Sequence, residues 1–243
     1  MKHGLNDVED STYKCSITHI HTIDTPTMER FKINMFQCIV KVKTEESIKT
    51  LESTLQDIPH KCYAPGSLGK EVKDKKNYQI GSISLKCQLQ KQNVSILLFN
   101  THKMKISGGL NIVEEITNEQ FESFFHHQII NPVIQYIYKR EMAYVLEKKM
   151  INATMYRSKC IGKIHFMEFI ENLKKEFMDQ QVIMPDIMIK NGNKRGRICA
   201  VKVKEKNGKG QFAVDHGGNV QFFSYDCLYS LQKHKSALMK VWL

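Results

Sequence analysis

VSILLFNTHKMKISGG, residues 94–109, is the stretch on which the fold turns. Six residues dominated by branched apolar side chains, VSILLF, run into a polar NTHK and emerge as MKISGG. Two short apolar runs separated by a polar turn read as an antiparallel hairpin. In its second arm Met104 and Ile106 alternate with Lys103, Lys105 and Ser107. Side chains of a strand point alternately to its two faces, so a strand with Met104 and Ile106 in a core turns Lys103, Lys105 and Ser107 away from it.

Working outward, YQIGSISLKCQL (78–89) has the same period: Ile83, Leu85 and Cys87 against Ser82, Ser84 and Lys86. Before it, TEESIKTLESTLQDIP (44–59) places Ile48, Leu51, Leu55 and Ile58 at helical spacing, with Thr44 as the expected N-cap and Pro59 past the end. Glu45 and Glu46 then read as first-turn carboxylates that suit the helix dipole. KINMFQCIVKVK (32–43) is an opening strand. After Thr117 a helix carries Phe121, Phe124, Phe125 and Ile129 on one side, and Pro132 is expected to kink or end it.

The order then recurs. KKMINATMYRSKC (148–160) reads as a strand and HFMEFIENLKKEF (165–177) as a helix. RICAVKVKE (197–205) alternates, GQFAV and NVQFF form a hairpin around DHGG (215–218), and CLYSLQKHKSALMKVW (227–242) closes as a helix. Each half reads β-α-loop-β-β-β-α. Two halves give an α+β chain of about eight antiparallel strands and four helices, the sheet covered on one side and open on the other. The expected division is an extension over 1–30, a first half over 31–140 and a second over 141–243.

The chain has 243 residues, 36 Lys plus Arg against 25 Asp plus Glu, and a formal net charge of +11. Such an excess points to a polyanionic partner. No apolar run reaches the ~18 residues of a spanning helix, and the first residues carry no secretory signal, so an intracellular location and no membrane partner are expected. The 7 cysteines form no CxxC and read as reduced thiols. The histidine pairs His19–His21 and His126–His127 lack a second ligand pair, GSLGK (66–70) lacks the full phosphate-loop spacing, and no catalytic triad emerges. The expectation is a binding protein without cofactor, metal or catalytic residue.

Alternation also puts Ala200, Lys202, Lys204, Asn219 and Gln221 on the open face. The same reading places Phe99, Ile80, Ile198, Val214 and Phe223 there. Lysines neutralise phosphate, amides meet the sparse acceptor pattern of A·T pairs, and apolar side chains wedge between base steps, so this face suits a DNA minor groove. Solvated sheet faces also carry lysines, and alternation alone leaves both readings open.

The whole order resembles the TATA-box-binding-protein core, a duplicated βαβββα saddle with helices on its convex face, over residues 31–243. Residues 94–109 are similar to that family's LIF-x-SGK-x-x-x-TG hairpin, with Phe99, Lys103, Ser107 and Gly108 in register. INMFQCIVK and INATMYRSK resemble its opening strands, and KDKKNYQIGSISLK and NKRGRICAVKVK its basic approaches to the next strand of each half. The resemblance implies a transcription-initiation factor that binds A·T-rich duplex DNA through its concave sheet. Asn34 and Asn152 would read the central steps. Phe99, Ile80, Ile198 and Val214 would be the wedges, where the family has four phenylalanines. Lys86, Lys103, Lys105, Lys202 and Lys204 would hold the backbone. Arg195, Gly196 and Arg197 replace the acidic pair that docks a TFIIB-like factor, which implies an altered docking surface toward the transcription machinery. The divergence most resembles the factors of large nucleocytoplasmic DNA viruses, which implies a nucleus, a cytoplasmic viral factory or a virion as location. The alternative is a protein-interaction module on the same scaffold. A third, a nucleic-acid enzyme sharing the half-saddle, has no catalytic acid to support it.

Overall fold

A computed structural model describes residues 30–66, 71–72, 79–89, 92–113, 116–156, 165–178, 181–183, 200–205, 210–215 and 217–242. The first half comprises β1 (Arg30–Val42), α1 (Ile48–Thr54), β2 (His60–Tyr63), β3 (Ser82–Leu89), β4 (Gln92–Phe99), β5 (Lys103–Val113), α2 (Asn118–Phe124), a π-helical segment (Phe125–Ile130) and α3 (Asn131–Tyr138). The second comprises β6 (Tyr144–Tyr156), α4 (Phe166–Glu176), β7 (Gln181–Ile183), β8 (Ala200–Lys204), β9 (Gln211–Asp215), β10 (Asn219–Tyr225) and α5 (Leu228–Trp242). Among the described residues no helix is long and apolar enough to cross a membrane.

The described strands join one antiparallel sheet in the order β2-β3-β4-β5-β1-β6-β10-β9-β8-β7. The halves are mirrored about the β1–β6 seam, and each is β-α-β-β-β-β-α. This is the α+β duplication expected, with ten strands among the described residues in place of eight. The extra strand in each half, β2 or β7, occupies an edge and spans 4 or 3 residues, too short for an alternation to show.

One side of every central strand is buried. Phe36, Cys38 and Val40 of β1, Met104 and Ile106 of β5, and Phe212 and Val214 of β9 are at most 1% exposed. Helices cover them, with Phe36 edge-on to Phe125 at 5.4 Å and Phe177 edge-on to Phe212 at 5.3 Å. Each such side chain contributes about 1.5–3 kcal/mol through removal from water. Burial pushes the Cys38 thiol up to about 12, so it stays a neutral hydrophobe.

Local chemistry sets the helix ends. Ser47, not Thr44, caps α1: its hydroxyl accepts the Thr50 N–H at 3.1 Å, and Thr44 accepts from Glu46 N outside the helix. Glu45 and Glu46 therefore precede the helix instead of lying in its first turn. Thr117 and Gln120 form a reciprocal capping box at the start of α2. Pro132 neither ends nor breaks the helical run. The preceding π-helical segment takes up the interrupted hydrogen-bond ladder, and Val133, Ile134 and Ile137 remain buried.

Candidate nucleic-acid interface

The other side of the sheet carries a shallow central concavity of about 670 Å³, lined by Asn34, Met35, Ser107, Asn152, Thr154 and Gln221 among others. Its floor is uncharged, with amide and hydroxyl side chains set among apolar ones. The seam's geometry produces it. β5 carries an extra residue opposite Asn34: Leu110 and Asn111 lie between Gly109, paired with Met35, and Ile112, paired with Ile33. β10 does the same opposite Asn152: Phe223 and Ser224 lie between Phe222, paired with Ala153, and Tyr225, paired with Ile151. The two asparagines thus occupy equivalent irregularities, where a bulge re-aims a side chain. Asn152 Oδ1 accepts the N–H of Ser224 at 2.9 Å, and Ser224 takes a left-handed φ of 62° there. Asn152 Nδ2 lies 3.9 Å from Met35 Sδ. Half of the Asn152 amide is thereby committed to the bulge and the other half faces the concavity.

Lysines surround this floor. Antiparallel register puts Lys32, Lys41, Lys103, Lys105 and Lys148 on the open face of the central strands. Lys86 flanks them on β3, Lys202 and Lys204 on β8. Lys41 pairs directly with Lys103 across β1 and β5. Like charges in that position destabilise a sheet. Glu147 relieves part of the repulsion, its carboxylate lying 2.7 Å from Lys103 Nζ. The next lysine along β6, Lys149, turns the other way: it pairs with Glu122 and lies 5.5 Å from the Phe121 ring centre, in the helix layer.

The apolar positions need correction. Phe99 ends β4 on the open face at 37% exposure, opposite Ser82. Ile80 is 4% exposed and part of the core, and Val214 is fully buried on the helix side. Neither is presented as a wedge. The register supplies the reason for Val214: it pairs with Val201 and Val220 as Leu98 pairs with Ile83 and Met104. The positional equivalent of Phe99 is therefore Asp215, opposite Ala200. Ile198 lies outside the described residues, as do Arg195, Gly196, Arg197, His19 and His21. His126 is engaged by Tyr144, its Nδ1 2.7 Å from the hydroxyl.

Asp215 closes the second hairpin. Its Oδ1 accepts the Asn219 N–H at 2.9 Å and its Oδ2 the Asn219 side-chain amide at 2.8 Å, which commits one donor of Asn219 within the protein. Gly218, at φ 88°, supplies the positive dihedral expected of the DHGG turn. Gln221, Gln37 and Ser107 keep open-face positions. Sequence reasoning missed Met35 and Val145, exposed by 38% and 48%. The alternation of KINMFQCIVKVK could have found Met35 had the irregularity at Asn34 been visible.

The sequence matches no protein-family model and no curated protein. Among solved structures the chain is similar to the TBP of Methanococcus jannaschii, at 11% identity and a TM-score of 0.44, over 88% of this chain and 99% of that one.

Proposed function

We propose that the open face binds double-stranded DNA along the minor groove, as a TATA-box-binding-protein-like initiation factor would. The observation that carries this reading is the arrangement of lysines, including the opposed pair Lys41 and Lys103, around a neutral amide and hydroxyl floor. A polyanion would remove the repulsion that the sheet otherwise sustains, and uncharged donors suit groove edges while lysines suit phosphates. Ten strands at ~4.8 Å spacing span roughly 40 Å, about one turn of duplex. Phe99 is the wedge of this reading at one end.

Fluorescence anisotropy with A·T-rich and G·C-rich duplexes at two salt concentrations tests it. Affinity should fall steeply with salt, and Lys105→Glu with Lys204→Glu should flatten the log–log slope by about 2. An unchanged slope would remove this face from the binding surface. Asp215 and Glu147 on the same face favour a second reading, a protein-interaction module with little DNA specificity. Binding that ignores base composition and does not bend the duplex would favour that reading.

A further inference from the structure

We propose that Glu52, His60 and Cys62 form a divalent-metal site, most suited to zinc, which clips α1 to the edge strand β2. The three come from two elements. His60 and Cys62 are two residues apart on β2, so strand periodicity turns both to the helix side, where their partners Leu85 and Ile83 are buried. Glu52 comes down from α1 onto the same spot. One ligand atom from each, a carboxylate oxygen, an imidazole nitrogen and a thiol sulfur, all lie within 4.8 Å of one another. Ligand atoms around a tetrahedral zinc stand roughly 3.5 Å apart, given Zn–N near 2.0 Å and Zn–S near 2.3 Å. The gap is within side-chain adjustment.

The second observation concerns the ring. His60 Nδ1 is 2.7 Å from the Ile58 carbonyl oxygen, which can only accept, so Nδ1 carries the hydrogen. That is the outer hydrogen bond by which a metal-binding histidine is oriented, and it turns Nε2 toward Glu52. Nε2 here points at Glu52 Oε1, 3.3 Å away, with Cys62 alongside. The side chains of His60 and Glu52 are 5% and 14% exposed, and Cys62 is 1% exposed. A thiolate beside nitrogen and oxygen selects zinc over the hard cations magnesium and calcium. Coordination replaces the Cys62 thiol proton, which leaves to solvent, and water takes the fourth position.

The test uses full-length reduced protein, stripped of metal and titrated with cobalt(II), then zinc. One equivalent of cobalt should give the visible bands of a four-coordinate ion and a near-ultraviolet thiolate charge-transfer band, and zinc should erase both. Cys62→Ser should abolish the charge-transfer band, and Cys87→Ser should keep it. Glu52→Gln, which leaves the buried thiol in place, should weaken zinc by at least the roughly 10–100-fold typical of disturbed metal surroundings. Absence of stoichiometric cobalt, or a charge-transfer band that survives Cys62→Ser in protein with wild-type circular dichroism, would overturn the site. If Cys62→Ser does not fold, an undiminished zinc affinity in Glu52→Gln does so.

Discussion

The two halves share an order of elements but not a surface. In the first, β4 and β5 form a long hairpin of 8 and 11 residues with exposed Phe99 at its turn and Lys103 beside it. In the second, β9 and β10 have 5 and 7 residues, and the matching positions are Asp215 and Asn219, bonded to each other. Buried positions correspond residue for residue: Leu98 to Val214, Met104 to Val220, Ile83 to Val201. The core is therefore what duplication preserves, and the open face is what has diverged. A ligand straddling the seam would meet an aromatic, lysine-rich end and a smaller, partly acidic one.

The contrast predicts opposite consequences for neighbouring substitutions. Phe212→Ala removes a fully buried ring that touches Phe177, Phe222 and His234, and should cost about 3–5 kcal/mol in urea denaturation. Phe99→Ala, at an exposed position, should leave stability nearly untouched. It should instead weaken duplex binding by roughly 5- to 150-fold, the equivalent of about 1–3 kcal/mol of base–aromatic contact. Exchanging the two ends sharpens this: Asp215→Phe should tighten binding and increase the bend seen by energy transfer between duplex ends. Equal effects of Phe99→Ala and Phe212→Ala on stability would erase the distinction between core and face.

On the acid side a pH effect is expected from the second half. Burial, and then neighbouring Lys233, hold His234 down at about 4 from an ordinary 6.5. Burial prevails although Glu205 lies 3.3 Å from Nε2, and the Tyr225 hydroxyl holds Nδ1 at 2.7 Å. Between these values the unfolded chain binds a proton that the folded chain refuses, so stability is full above pH 6.5 and declines as pH falls toward 4. The urea midpoint should follow that course in the wild type and much less in His234→Gln. The smallest effect is expected at Glu147→Gln. Its half-exposed pair with Lys103 is worth at most ~1 kcal/mol, so freeing that lysine should raise affinity by severalfold at low salt and not at all at high salt.

Much of this was legible in residue order. Period-2 alternation put Met104 and Ile106 inward and Lys103 and Lys105 outward because one wet and one dry face impose that pattern on any strand. The edge strands β2 and β7 were not legible, since neither is long enough to repeat. Val214 was misplaced because likeness to the first hairpin aligned it with Phe99, whereas backbone pairing aligns it with Leu98. The place of Asn152 could be read, but its bond to Ser224 could not, because that depends on a bulge 72 residues away. Glu52, His60 and Cys62 have no motif spacing; a strand crossing beneath a helix brings them together.

The β1–β6 seam has a consequence for how the chain could be divided. Twelve paired positions run along it, while residues 139–143 are the covalent link across it. A break in that link would leave each piece with an unsatisfied ribbon of amides and carbonyls whose best partner is the other piece. Such a molecule is suited to reconstitution from fragments, each presenting an unpaired edge until the two zip together.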